Sequence, residues 1–104
     1  MERVAFVLRI REKDQQEYIK RHQAVYPELL RAFEDVGIKT YSIFMDGGTL
    51  FAYMEVENFN EAMAKLERHE ANIRWQKYMS DLLIQHHDGG TIKVIPEVFH
   101  FEAK

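Results

Sequence analysis

One histidine lies in the apolar stripe of a predicted helix, beside groups that can help it move protons. At ~100° per residue, five residues share this face: Tyr18, His22, Val25, Leu29 and Phe33. Histidine has an unperturbed pKa near ~6.5, so it can donate and accept protons at neutral pH. Tyr18 supplies a hydroxyl one turn earlier. The pattern fits a general acid–base site, and it fits equally well a core histidine bonded to a backbone carbonyl.

Two aromatic side chains elsewhere in the chain can wall a pocket around His22. Trp75 falls on the inner stripe of a later helix, and Tyr41 falls in a strand. Aromatic bodies with polar tips, converging on one histidine, suit a sugar better than an apolar ligand. The residues therefore favour a sugar-binding site around His22.

Other polar motifs indicate turns rather than sites. His86, His87 and Asp88 are adjacent, so their side chains diverge, and a solvated loop is favoured over a metal site. The glycine pairs 47–48 and 89–90 lack the following Lys-Ser/Thr of a phosphate loop. We therefore expect no metal and no cofactor.

The composition is that of one globular domain. A length of 104 residues, with 46% hydrophobic and 30% charged residues, suits a single core across residues 1–104. A net charge of −3 without a basic block argues against nucleic-acid binding. Cysteine is absent, which excludes disulfides and a thiol nucleophile. The first apolar run, Met1 to Ile10, is too short for a signal peptide or membrane span, so we expect a cytoplasmic protein.

Strand and helix patterns alternate along the chain. Strand patterns cover residues 3–10, 38–45, 50–56 and 94–101. Helix patterns cover a long segment from Asp14 to about Val36 with a kink at Pro27, a short helix capped by Asn58, and residues 70–84. The order β-α-β-β-α-α-β predicts an α+β, ferredoxin-like antiparallel sheet with its helices on one face.

The face of the sheet without helices also carries large apolar groups. A monomer would leave this patch in water, and patches of this kind usually mark an interface. We therefore expect a homodimer packed sheet against sheet, in a dimeric α/β-barrel-type assembly.

Several short segments, in order and at matching spacings, together resemble the L-rhamnose mutarotase family. They are Ala5-Phe6-Val7, Glu17-Tyr18, Arg21-His22, Tyr26-Pro27-Glu28-Leu29, Tyr41-Ser42-Ile43, Leu50-Phe51, Arg74-Trp75, Lys77-Tyr78-Met79 and Glu97-Val98-Phe99. The resemblance runs nearly end to end, with a one-residue shortening before Trp75. It implies a ferredoxin-like enzyme that dimerises through its sheets and interconverts the α and β anomers of L-rhamnose.

The resemblance also implies roles for individual residues. His22 matches the proton donor of the family, and Tyr18, Tyr41 and Trp75 match residues that contact the sugar. The chain has Gln76 and Tyr26 where the family usually has tryptophan. Gln76 replaces an aromatic face by an amide that donates and accepts hydrogen bonds. We therefore expect Gln76 to contact the substrate, which is L-rhamnose or a relative with different hydroxyl placement.

Exchange of anomers requires the sugar ring to open, the aldehyde to turn and the ring to close. In the sequence-based hypothesis, the His22 imidazolium protonates the ring oxygen and the imidazole recovers that proton on closure. Tyr18, Tyr41 or a water acts at the anomeric hydroxyl. Two other classes remain open: a cofactor-free monooxygenase or haem-binding protein of the dimeric α/β-barrel group, and a non-catalytic sugar-binding dimer.

Overall fold

The computed structural model describes all 104 residues as an antiparallel sheet with four α-helices. The strands are β1 (Glu2–Ile10), β2 (Ile38–Asp46), β3 (Thr49–Val56), β4 (Leu83–Ile84) and β5 (Lys93–Ile95). The helices are α1 (Gln15–His22), α2 (Pro27–Asp35), α3 (Phe59–Arg68) and α4 (Glu70–Met79), and a 3₁₀ turn, Glu12–Asp14, precedes α1. None of these helices combines the length and the apolar character needed to cross a membrane.

The sheet follows the predicted ferredoxin-like plan. Its order is β2-β3-β1, and β4 and β5 both pair with the free side of β1. Every pairing is antiparallel, and the register sets Phe6 opposite Ala52 and Leu8 opposite Leu50. Because strand side chains alternate between faces, Phe6 and Leu8 point to the buried face together with Met54. The predicted α+β fold class is confirmed.

The core lies between this face of the sheet and the helices. Leu29 and Ala32 of α2, Leu66 of α3 and Met79 of α4 are buried against it. The predicted cap of α3 is present, because the Asn58 side chain accepts a hydrogen bond from the Glu61 amide at 3.0 Å. The helices therefore cover one face and leave the other open.

The predicted long, kinked helix is wrong, since the chain forms two helices there. α1 ends at His22, and Pro27 is the first residue of α2. First-turn N–H groups have no partner within a helix, so a proline at this position loses nothing. Pro27 begins a new helix instead of bending an old one, and His22 becomes the C-terminal residue of α1.

The last strand and the last helix are both shorter than predicted. α4 ends at Met79 rather than near residue 84, because Leu83 pairs with Ile10 of β1. β5 ends at Ile95, since Pro96 has no N–H with which to continue the ladder. Residues 96–104 have no regular secondary structure, although Glu97 accepts two hydrogen bonds from Arg3, at 2.9 and 3.0 Å.

Candidate active site

A cavity of about 980 Å³ opens between the helices and the buried face of the sheet. The five residues predicted for the site come from α1, β2 and α4, and all five line this cavity: Tyr18, His22, Tyr41, Trp75 and Gln76. The remaining wall is mostly apolar, with Leu29, Phe33 and Met54 among its members. The fold thus brings residues from three separate elements to one cavity.

The His22 ring is held between two aromatic side chains. It stacks on Tyr18, with ring centres 4.2 Å apart and planes 24° apart, and it meets Trp75 edge-on at 5.3 Å. Its Nδ1 lies 3.0 Å from the backbone oxygen of Tyr18. A carbonyl oxygen only accepts, so Nδ1 carries the hydrogen. In the neutral ring, Nε2 therefore holds the free lone pair.

Burial decides the protonation state of His22. Loss of water around the ring lowers its pKa below the ordinary value, and the hydrogen bond to the Tyr18 carbonyl raises the pKa by a smaller amount. The net direction is downward. At neutral pH the ring is therefore mainly imidazole, which is ready to accept a proton at Nε2.

Burial shifts the pKa values of the two phenols, Tyr18 and Tyr41, upward instead of downward. Burial raises the pKa of Tyr41 to about 12. Burial also raises the pKa of Tyr18, and the nearby Tyr41 adds to that increase. Both hydroxyls therefore keep their protons over the physiological range and can act as donors. The Tyr41 ring is held by Phe33 and Phe6, at centre distances of 5.4 and 6.2 Å.

Trp75 and Gln76 occupy the α4 side of the cavity. Trp75 is only 6% exposed, and Tyr26 packs edge-on against it at 5.2 Å. Gln76 is exposed, and its Nε2 donates to Oδ1 of Asn72 at 3.5 Å. Tyr26 does not line the cavity. Of the two departures from the family pattern, Gln76 therefore faces the ligand space, whereas Tyr26 supports the tryptophan behind it.

Sequence reasoning missed Glu67, Asn72 and Thr91, which also line the cavity. The i, i+4 spacing of Asn72 and Gln76 places them on one face of a helix, so the sequence alone could have indicated Asn72 as a neighbour of Gln76. Nothing in the sequence connects Glu67 with that face, because it belongs to a different helix.

Arg21 links the helix that carries His22 to the helix that carries Trp75. Its guanidinium donates to Glu17 at 2.8 Å, to the backbone oxygen of Tyr78 at 2.8 Å, and to both carboxylate oxygens of Asp81 at 2.9 and 3.2 Å. The Arg21 side chain is only 11% exposed and lies over the Tyr78 ring, 4.5 Å from its centre. This planar donor set holds α1 against the end of α4.

Comparisons with known proteins show the family of this chain. The family model described as L-rhamnose mutarotase matches residues 3–101. The chain belongs to the L-rhamnose mutarotase family. It is 37% identical to the L-rhamnose mutarotase of Burkholderia orbicola over 98% of this chain and all of that protein. The crystal structure of L-rhamnose mutarotase from Formosa agariphila superimposes with a TM-score of 0.84 at 31% identity, covering 98% of this chain and all of that one.

A more distant structure shares only the fold. A putative antibiotic biosynthesis monooxygenase from Nitrosomonas europaea has a TM-score of 0.63 at 10% identity, over 89% of this chain and 84% of that one. This likeness supports the ferredoxin-like fold alone and says nothing about the activity of this chain. Family membership thus favours the mutarotase over the monooxygenase, haem-binding and non-catalytic alternatives.

Replacing Arg21 by lysine should loosen the contact between α1 and α4. Lysine keeps the charge but cannot donate to Glu17, Asp81 and the Tyr78 carbonyl from one plane. We expect the free energy of unfolding of Arg21→Lys, measured in urea, to fall by ~1–2 kcal/mol. Arg31→Lys is the matched control, since Arg31 is exposed and has no ion pair. Equal stability of the two variants would show that the Arg21 contacts contribute nothing.

Proposed function

We propose that this protein interconverts the α and β pyranose anomers of L-rhamnose or a closely related sugar. The observation that carries the proposal is the convergence of Tyr18, His22, Tyr41, Trp75 and Gln76 on one cavity, in a chain that belongs to the L-rhamnose mutarotase family. The size of the cavity lies at the upper end of the ~300–1,000 Å³ range of small-molecule sites. Its apolar lining also suits the methyl group that a 6-deoxy sugar carries in place of a hydroxymethyl.

We assign His22 as the residue that starts proton transfer, acting as a base. Nε2 of the imidazole takes the proton of the anomeric hydroxyl, and the hydroxyl of Tyr18 or Tyr41 donates to the ring oxygen. The bond between the anomeric carbon and the ring oxygen breaks, giving an aldehyde and a free hydroxyl. After the aldehyde turns, the phenolate recovers its proton as the ring closes and the imidazolium returns the other proton to the anomeric oxygen.

This assignment differs from the sequence-based hypothesis in the protonation state of His22 at the start of the reaction. That hypothesis begins from imidazolium at the ring oxygen, whereas burial of His22 favours imidazole at neutral pH. Tyr18 and Tyr41 remain protonated under the same conditions. A neutral base and a neutral acid are then present together, as a ring opening that begins and ends uncharged requires.

We also propose that two copies of the chain assemble through the open face of the sheet. Phe44 and Phe51 are paired across β2 and β3 and are 67% and 42% exposed. Val98, Phe99 and Phe101, beyond β5, are exposed as well. A second copy packed on this face would remove this apolar surface from water. A cytoplasmic location is part of the proposal, because a chain without cysteine fits a reducing compartment.

The deciding experiment is proton NMR of anomer exchange by saturation transfer. Wild type should accelerate exchange for L-rhamnose more than for L-fucose, L-mannose or D-glucose, and His22→Ala should lower that rate by ~10²–10⁴-fold. His87→Ala is the control, since His87 is exposed and outside the cavity. Acceleration of another sugar alone would reassign the substrate, and saturable binding without acceleration would reduce the protein to a sugar-binding module.

The pH profile tests which form of His22 begins the reaction. With imidazole as the base, kcat/KM should rise with pH through the lowered pKa of His22, below its ordinary value of 6.5, and then stay level through pH 9. The phenols do not titrate in that range, because the pKa of Tyr41 is about 12 and that of Tyr18 is also raised. A fall in kcat/KM above the His22 pKa would instead identify imidazolium as the active form.

The proposed assembly can be tested by light scattering. Wild type should have twice the 12.4 kDa mass of one chain, and Phe44→Lys should shift it toward the monomer by placing a charge in the buried face. Ile73→Lys is the control, since Ile73 is exposed on α4 and not on the sheet. A monomeric wild type, or equal dissociation of both variants, would exclude this interface.

A further inference from the structure

A short polar strip runs along the mostly apolar cavity, at the contact between α3 and α4. It consists of Glu67, Asn72 and Gln76, all of which line the cavity. Asn72 joins the three, because its Nδ2 donates to the backbone oxygen of Leu66, next to Glu67, at 3.0 Å, and its Oδ1 accepts from Gln76 at 3.5 Å. Both the nitrogen and the oxygen of the Asn72 amide therefore have a partner within the protein.

The free groups of the polar strip are mainly acceptors, beside one remaining N–H of the Gln76 amide. Gln76 uses its Nε2 on Asn72, which leaves its Oε1 without a protein donor. The Glu67 carboxylate has neither an ion pair nor a hydrogen bond to the protein, and Glu67 is the only charged residue that lines the cavity. Glu67 also lies in the last turn of α3, where the helix dipole disfavours a negative charge. Glu67 is exposed, so its carboxylate is free to bind a ligand that enters the cavity.

We propose that Glu67 binds substrate by accepting hydrogen bonds from hydroxyls of the sugar ring, with the Oε1 of Gln76 as a second acceptor and Asn72 as the residue that positions Gln76. This inference rests on the proposed function. The polar strip supplies acceptors, while Tyr18 and Tyr41 supply protonated phenols. A hydroxyl facing Glu67 must donate, so an analogue lacking that hydroxyl leaves the carboxylate without its partner. Glu67 would therefore be a specificity-determining residue of the pocket.

The first arm of the test compares Glu67→Gln with Glu34→Gln in the anomer exchange assay. Glu34 is the matched control because it is also exposed, unpaired and in the last turn of its helix, but lies outside the cavity. Loss of a charge-assisted bond to substrate should raise KM of Glu67→Gln about tenfold and leave kcat unchanged. Glu34→Gln should match wild type. An unchanged KM would overturn the proposal, and so would a fall in kcat alone, which would make Glu67 a proton-transfer group.

The second arm uses the 2-, 3- and 4-deoxy forms of L-rhamnose. Wild type should discriminate against the analogue that lacks the hydroxyl bound by Glu67, and Glu67→Gln should lose most of that discrimination. Equal discrimination by both proteins would overturn the proposal. If wild type accelerates anomer exchange of no sugar, the proposed function is wrong, but the role of Glu67 in binding can still be tested. Binding of L-rhamnose, followed by saturation-transfer difference NMR, then decides the role of Glu67 by whether Glu67→Gln binds more weakly than Glu34→Gln.

Discussion

The guanidinium of Arg21 is the interaction on which the arrangement of the cavity depends. His22 and Trp75 come from helices far apart in the chain, and their edge-on contact at 5.3 Å requires those helices to keep one separation. Arg21 precedes His22 directly and is bonded to Asp81 and to the backbone at the end of α4. A bidentate, mostly buried arginine fixes direction as well as distance. The position of the imidazole therefore follows from its neighbour in sequence.

Burial then sets the protonation states of the groups around the His22 ring. One desolvating environment lowers the pKa of His22 and raises the pKa values of Tyr18 and Tyr41. Burial disfavours the cation of His22 and the anions of Tyr18 and Tyr41, so all three groups are uncharged at neutral pH. The hydrogen bond from Nδ1 to the Tyr18 carbonyl also fixes the tautomer. The same loss of water thus prepares both the proposed base and its proposed acids.

The residue patterns within single segments predicted those parts of the fold that depend on neighbouring residues in the sequence. Alternation located β1 and the β2–β3 hairpin, and helical spacing placed Tyr18 and His22 on one face. The role of Pro27 could not be predicted in the same way, because a proline fits both inside a kinked helix and at the first position of a new one. The short β5 depends on pairing with β1, a contact remote in sequence. Glu67 reaches the cavity only through the packing of α3 on α4, which no spacing encodes.

The residues proposed to react with the sugar are more buried than those proposed to recognise it. Tyr18 and Trp75 are buried and His22 is half-buried, so a substitution near them changes both packing and pKa values. Glu67 and Gln76 are exposed, and exchanging them alters hydrogen-bond donors and acceptors at little structural cost. A family can therefore retain its proton-transfer groups while the exposed rim adapts to another pattern of hydroxyls. The amide of Gln76, which replaces the tryptophan expected from the family resemblance, is a change of this second kind.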